Sequence, residues 1–331
     1  MTFSFIGGGA WGATLAQVLL DNKHQVMIYE KNESHREKLK KHEHPFFHVT
    51  LPYGIQVTDS LKEAIEFSNY IIIAIPTKFI ESLLMTLSSY DLKDKVFINV
   101  SKGFIMPSLQ TISQAFEYHL KRNMKAFISL SGPSHAEEVI ERNVTTLVCA
   151  SYNPQEKEKV AQAFNNKYMR IYLSNDPVGC EVGGATKNAI AVASGILTAL
   201  GFGENARAAL LTRGLMEIKK VIYEFGGQAE TAYGLTGLGD LMVTAQSMNS
   251  RNFKAGLKIG QGMTKEDIER REKQTIEGFN TIYALHQLAQ VKALELPIIH
   301  VSYQMIFEQL PFEDVIKNTL NHIVKNEQNH L

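Results

Sequence analysis

The chain has 331 residues, 44% of them hydrophobic, which predicts two globular domains with sizeable cores. Lysine plus arginine balance aspartate plus glutamate at 34 each. That balance argues against a nucleic-acid or membrane-surface protein, both of which need a basic excess, but leaves room for a local basic pocket around a small phosphate.

No signal peptide is expected, because the stretch before Asp21 has no basic leader and centres on glycines. The uncharged run at 188–203 is 16 residues long. A span needs about 20, so this run reads as a buried helix. The two cysteines, Cys149 and Cys180, form no CxxC pair and suit a reducing, cytoplasmic setting.

In chain order, residues 2–6 form a short apolar strand, followed by a glycine turn and a helix with Leu15, Val18 and Leu19 at helical spacing. Residues 25–29 read as a second strand and 34–41 as a charged helix. Residues 60–67 read as a helix capped by Ser60, with Glu63 completing a capping box. The run 70–75 is nearly all apolar up to Pro76, as in a parallel sheet covered on both faces. A strand at 95–100, a helix at 108–121 and strands at 126–130, 145–150 and 169–173 complete an N-terminal Rossmann, doubly wound α/β domain. Beyond Asp176 helical periods dominate, at 176–199, 206–225 and 281–290, and predict an all-α C-terminal domain. No linker, repeat or low-complexity tract intervenes. The boundary is placed at 178, dividing a dinucleotide-binding part (1–178) from a helical substrate and catalytic part (179–331).

Gly7-Gly8-Gly9-Ala10-Trp11-Gly12 fits GxGxxG between a strand and a helix. Gly7 permits the turn, Gly9 lets backbone approach a pyrophosphate, and Gly12 lets the helix pack on the strand. Glu30 ends the second strand, where a carboxylate can hold the adenosine ribose, or it is a solvated loop residue. Lys31 beside it would attract a 2′-phosphate, so NAD is weakly favoured and NADP stays open.

Lys102 in Ser101-Lys102-Gly103 and the segment Ser131-Gly132-Pro133-Ser134 each follow an apolar strand, at the sheet edge where open α/β sheets bind ligands. Gly183-Gly184-Ala185-Thr186-Lys187-Asn188 lies inside a helix, where each glycine costs about 1 kcal/mol relative to alanine. That cost implies a close backbone approach beside Lys187 and Asn188. Lys187 suits alcohol–carbonyl acid/base chemistry if burial or a second cation such as Lys102 lowers its pKa. Asp240, in Gly237-Leu238-Gly239-Asp240, can orient a lysine. Ser250-Arg251-Asn252 offers a hydroxyl, a guanidinium and an amide to a phosphate. His42, His44 and His48 lack the ligand patterning of a metal site, and no metal is expected.

Together with Arg213-Gly214-Leu215 and Glu277-Gly278, these segments occur in the order found in NAD(P)-dependent glycerol-3-phosphate dehydrogenases, and the chain resembles that family from about residue 3 to about residue 320. The resemblance implies that Lys187 is the proton donor and acceptor. It implies substrate contacts from Lys102, Gly132, Ser134, Asp240, Ser250, Arg251 and Asn252. It implies cofactor contacts from Trp11, Lys31, Lys102, Ala136, Arg251, Glu277 and the position of Thr275. It further implies a phosphorylated triose as substrate, a homodimer, and a product that feeds phospholipid synthesis. Ala10 replaces a common serine, Glu30 a small residue, Lys31 an arginine or histidine, and Thr275 an aliphatic, which bears on NAD against NADP. Two other readings compete: a β-hydroxyacid or phosphogluconate-type dehydrogenase, and a non-enzymatic NAD(H)-binding redox sensor. The sensor would need the glycine motif but not Lys187, Lys102 or Asp240.

Overall fold

Apolar runs that do not alternate need cover on both faces, and the sheet at the centre of the N-terminal half provides it. The computed structural model describes residues 1–120, 123–272 and 276–319. Its strands are β1 (Thr2–Ile6), β2 (Gln25–Tyr29), β3 (Ile55–Thr58), β4 (Tyr70–Ile73), β5 (Val96–Asn99), β6 (Ala126–Ser131), β7 (Thr145–Ala150) and β8 (Met169–Ser174). They lie in the order β3-β2-β1-β4-β5-β6-β7-β8. All neighbours are parallel except β6 and β7, which are antiparallel. Successive residues of β4 serve opposite layers. Ile72 joins the core with Val18 and Phe164, whereas Ile71 and Ile73 join the one with Leu84 and Phe116.

The chain winds from β1 out to β3 and returns to β4 on the other side of β1. A crevice therefore opens at the C-terminal ends of β1 and β4, where such sheets bind dinucleotides. Gly7 turns there with φ +107, and a Cβ on it would stand 2.5 Å from the Ala74 carbonyl. A Cβ on Gly12 would stand 2.2 Å from the Gly7 carbonyl, so the first helix, Ala10–Asp21, packs directly on the turn. Strand β4 ends at Ile73, two residues short of the apolar run, where Ala74 already faces this turn.

Two local expectations are corrected. Ser60 caps the helix Leu61–Phe67 by accepting from the Glu63 amide, but no reciprocal capping box forms. The Glu63 carboxylate takes the Thr58 hydroxyl instead, and the Ser60 amide donates to the Thr58 Oγ1. The helix expected from Ser108 starts at Ile112, because Ile105 and Gln110 close a bridge with a 2.9 Å hydrogen bond. Its expected end, Lys121, lies outside the described residues.

Beyond β8 the described residues are helical. The buried helix Pro177–Ala199 packs against Glu204–Glu224, Arg251–Gly260 and Glu277–Lys292. Its N-terminus is capped by Asp176, whose Oδ1 accepts from the Gly179 amide at 2.9 Å. Gly195 and Gly256 let the first and third of these helices cross at backbone contact. A Cβ on Gly195 would stand 2.1 Å from the Phe253 carbonyl, and one on Gly256 would stand 2.0 Å from that of Val192. This crossing brings the start of the Arg251 helix to Asn188. Among the described residues no helix is long and apolar enough to cross a membrane.

Candidate active site

Lys102 leaves the C-terminal end of β5 and crosses to the helical half. Its ammonium group donates to Asp240 Oδ2 at 2.5 Å and to the Gly132 carbonyl at 3.0 Å. The second carboxylate oxygen of Asp240 faces Lys187, with Nζ 3.1 Å from Oδ1. Lys187 also donates to the Thr244 hydroxyl at 2.6 Å. Asp240 is 1% exposed and Lys187 5%. Each carboxylate oxygen thus serves one lysine, and with both lysines protonated the cluster carries one net positive charge.

Burial lowers the Lys187 pKa and the neighbouring Lys102 charge lowers it further. Asp240 pulls the other way, and the result is about 8. Burial alone would raise the Asp240 carboxyl pKa, but the two ammonium groups hold it below its ordinary value. A buried amine that exchanges a proton near neutrality can act as both acid and base.

The paired glycines explain how these groups meet. A Cβ on Gly184 would stand 3.1 Å from Ser131 Oγ and 3.8 Å from the Lys102 side chain, and one on Gly183 would stand 3.1 Å from the Thr236 carbonyl. Bare backbone at Gly184 lets the helix carrying Lys187 lie against the ends of β5 and β6, and at Gly183 lets it meet the turn that leads to Asp240. Ser134 donates to the Gly132 carbonyl at 3.1 Å, which joins that turn to the Lys102 contact. Ala136 opens the short helix Ala136–Ile140 next to it.

Arg251 begins its helix with an exposed side chain, near enough to repel the charge on Lys187 and facing the charges of Glu137, Glu277 and Glu272. Ser250 is the cap, its hydroxyl accepting from the Phe253 amide at 3.2 Å. Asn252 turns inward. It donates to Asn188 Oδ1 at 2.8 Å and accepts from the Gly278 amide at 3.0 Å. The amide of Asn252 therefore ties the Arg251 turn to the helix of Lys187 and to the Glu277 turn. Glu277 reaches across to the sheet and accepts from the Thr77 hydroxyl at 2.9 Å, and burial pushes its carboxyl pKa up.

At the other end of the crevice, Glu30 Oε2 accepts from the Gly8 amide at 2.8 Å and Oε1 from the Asn32 amide at 2.8 Å. Glu30 is thus fixed against the glycine turn, not free in a loop. Lys31 is exposed, and its carbonyl and that of Glu30 take hydrogen bonds from Arg36 at 2.7 and 3.0 Å. Gly9 precedes a helix with no side-chain cap, and a Cβ on it would meet nothing within 4 Å. Ala10 and Trp11, both partly buried, form the first turn. An uncapped helix start beside open space suits a pyrophosphate. Thr275 lies outside the described residues.

Models of the NAD-dependent glycerol-3-phosphate dehydrogenase N-terminus and C-terminus match residues 2–157 and 176–317. The chain is 47% identical over 329 residues to the glycerol-3-phosphate dehydrogenase (NAD(P)+) of Acholeplasma laidlawii, covering 99% of each. The chain belongs to the NAD-dependent glycerol-3-phosphate dehydrogenase family. A second relative with the same printed name, from Staphylococcus carnosus, is 38% identical, covering 97% of this chain and 98% of its own. The crystal structure of glycerol-3-phosphate dehydrogenase from Coxiella burnetii superposes with a TM-score of 0.90 at 29% identity, covering 97% of this chain and 98% of that one.

Two residues in this family member's cleft escaped the sequence reading. Thr244 sits four residues after Asp240, one helical turn on, so its hydroxyl shares the face of the carboxylate. Thr77 follows Pro76 at the end of β4, the kind of sheet edge that carried the other site residues. His44, weighed above with His42 and His48 and given no metal role, has a structural part behind the glycine turn. It is a brace: Nδ1 accepts from the Phe46 and Phe47 amides at 3.2 and 3.0 Å, while Nε2 lies 3.2 Å from the Ala10 carbonyl. Burial brings its pKa down to about 4, so it stays neutral behind the glycine turn.

Proposed function

We propose that the chain interconverts dihydroxyacetone phosphate and sn-glycerol 3-phosphate using NAD(P)H and NAD(P)+. The observation that carries this reading is the buried Lys102–Asp240–Lys187 cluster at the sheet edge. The bound nicotinamide would supply or accept the hydride at C2 of the triose. Lys187 gives its Nζ proton to the C2 oxygen in reduction and recovers it in oxidation. Lys102 stands beside that oxygen and stabilises negative charge as it develops. Asp240 keeps both ammonium groups in place. Gly132, Ser134 and Asn188 are proposed to help orient the triose. Turnover of dihydroxyacetone phosphate with NADH tests the reading. Binding of NADH with no turnover of any alcohol or ketone would favour a sensor, and turnover only of 3-hydroxyacids would favour the alternative dehydrogenase class.

Arg251, with Ser250 and Asn252, is proposed to hold the substrate phosphate. Arg251→Lys keeps the charge but loses the planar fork. Charge-assisted hydrogen bonds contribute about 1.5–3 kcal/mol, so KM for dihydroxyacetone phosphate should rise roughly tenfold or more. Kinetics on dihydroxyacetone, which lacks the phosphate, should barely change. Equal losses on both substrates would assign Arg251 to the cofactor instead.

Gly7, Gly9, Ala10, Trp11 and Gly12 are proposed to take the pyrophosphate, with Ala136, Glu277, Lys31 and the position of Thr275 completing the cofactor site. Glu30 is proposed to face the ribose and to favour NADH, since its charge opposes a 2′-phosphate. Glu30→Ala should lower kcat/KM with NADH and shift the preference toward NADPH. Lys31→Ala should shift it toward NADH. Measuring both coenzymes on the three proteins checks this. A wild type that strongly prefers NADPH and is indifferent to Glu30→Ala would remove the ribose role.

The division at residue 178, a cytoplasmic location, a homodimer and supply of glycerol 3-phosphate for phospholipids belong to the same proposal. The division is supported by the helix starting at Pro177 directly after β8, and the location by two unpaired buried thiols. The homodimer and the lipid role are supported by family resemblance, and light scattering tests the former.

A further inference from the structure

Glu181 is a buried carboxylate that the reaction does not use. It sits on the helix of Lys187, six residues earlier, and is 8% exposed. Burying a carboxylate without a cation costs several kcal/mol, so its hydrogen bonds must compensate. They go to two places. Oε1 accepts from Asn99 Nδ2 at 2.8 Å, and Oε2 from the Ser113 amide at 2.9 Å, in the first turn of the helix Ile112–Leu120.

Asn99 ends β5 and is 1% exposed. Its side chain is fully engaged around the next turn. Oδ1 accepts from the Ser101 amide at 3.0 Å and Nδ2 donates to the Ser101 carbonyl at 3.1 Å. The Ser101 hydroxyl donates to the Ile75 carbonyl at 2.7 Å. Ser101 is therefore pinned on several sides immediately before Lys102. The two lysines come from different halves of the fold, and this hydrogen-bonded chain links the Lys187 helix directly to the Lys102 turn.

We infer that Glu181, acting through Asn99, is a positioning residue that sets where Lys102 stands relative to Asp240 and Lys187. A packing role alone would be met by an apolar side chain without the desolvation cost. The inference rests on the proposed role of Lys102. The groups facing Lys187 are Asp240, Lys102 and Arg251, so a displaced Lys102 changes both substrate binding and the proton affinity of Lys187.

Glu181→Gln turns one acceptor into a donor, and that amide must oppose either Asn99 Nδ2 or the Ser113 amide. Misplacement of a reacting group by about 1 Å can cost on the order of a hundredfold, so KM for dihydroxyacetone phosphate should rise about tenfold or more. The alkaline limb of the reduction profile should move to higher pH, because Lys102 no longer repels the Lys187 proton. The double variant Asn99→Asp/Glu181→Gln restores the bond between the two side chains with reversed polarity but loses the donation to the Ser101 carbonyl, so it should recover only part of KM, while Asn99→Asp alone sets carboxylate against carboxylate as well and should be the worst of the three. A Glu181→Gln enzyme with a lower Tm but unchanged KM and alkaline limb overturns the inference. If that variant does not fold, Asn99→Ser, which cannot bridge to Glu181, is read in the same way. Lys102→Met separates the two claims. If it moves KM and the limb while Glu181→Gln and Asn99→Ser do not, the inference fails alone. If it moves neither, the role of Lys102 fails and the inference with it.

Discussion

Lys187→Ala is expected to lower kcat for dihydroxyacetone phosphate reduction by about 10²–10⁴-fold, the usual range for loss of a general acid, while NADH affinity changes little. The amine is buried between Asp240 and Thr244, so water does not readily replace it. Its pKa of about 8 also fixes the direction of the pH response. Reduction needs the ammonium form and is lost as pH rises through that value. Oxidation of glycerol 3-phosphate needs the free amine and grows through the same value. Both limbs should vanish in Lys187→Ala. Profiles of kcat/KM in both directions, with NADH binding measured by fluorescence, check this. A variant within threefold of the wild type that keeps its alkaline limb would take Lys187 out of the proton transfer.

How far the fold could be read depended on how each segment is buried. Strand β4 and the helix Pro177–Ala199 were legible because cover on all sides demands mostly apolar or small residues, which in the helix only Glu181 and the Lys187-Asn188 pair interrupt strongly. Strand β3 was not. It lies at the sheet edge, has only four residues and exposes Gln56, so its apolar signal is short and mixed. The helix Pro154–Phe164 was missed because its run of four charged residues, 156–159, hides the apolar period, although Glu156 and Lys157 are buried. A local signal was available, since Asn153 caps its start by accepting from the Glu156 amide and Pro154 follows at the first helical position.

The site was legible where chemistry forces unusual residues. Two glycines in a helix mark a close approach, and the structure brings Ser131 and Lys102 to that spot. The carboxylate expected to orient one lysine orients two, a geometry no spacing in the sequence reveals because Lys102 and Asp240 lie 138 positions apart. Asn252 shows the converse. Its type fits a phosphate ligand, but half of its hydrogen-bonding capacity, one donor and one acceptor site, goes to Asn188 and Gly278. Glu181 and Asn99 left no trace at all, because a lone acidic residue in a helix and an asparagine at a strand end are ordinary in sequence. Only burial and distance make them conspicuous.

Asp240→Asn should be nearly as damaging, by a different route. The carboxylate holds ammonium groups at 2.5 and 3.1 Å on its two oxygens. A carboxamide can accept from one of them, and its NH2 then opposes the other. Two like charges would face each other in a site almost closed to water. The cheapest relief is for Lys187 to lose its proton, so its pKa should fall below about 8, the wild-type value. The alkaline limb of reduction should therefore move to lower pH, and the rise in oxidation should move with it, since one proton equilibrium governs both. This is opposite in direction to the shift expected from displacing Lys102. Both ammonium groups would shift from their places, and misplacement of a reacting group by about 1 Å can cost on the order of a hundredfold, so kcat/KM near neutral pH should drop by about that much. A pH profile of the purified variant, with Tm to confirm folding, provides the measurement. An alkaline limb still centred at the wild-type position would mean that Asp240 only packs the cleft, and that the proton affinity of Lys187 is set without it.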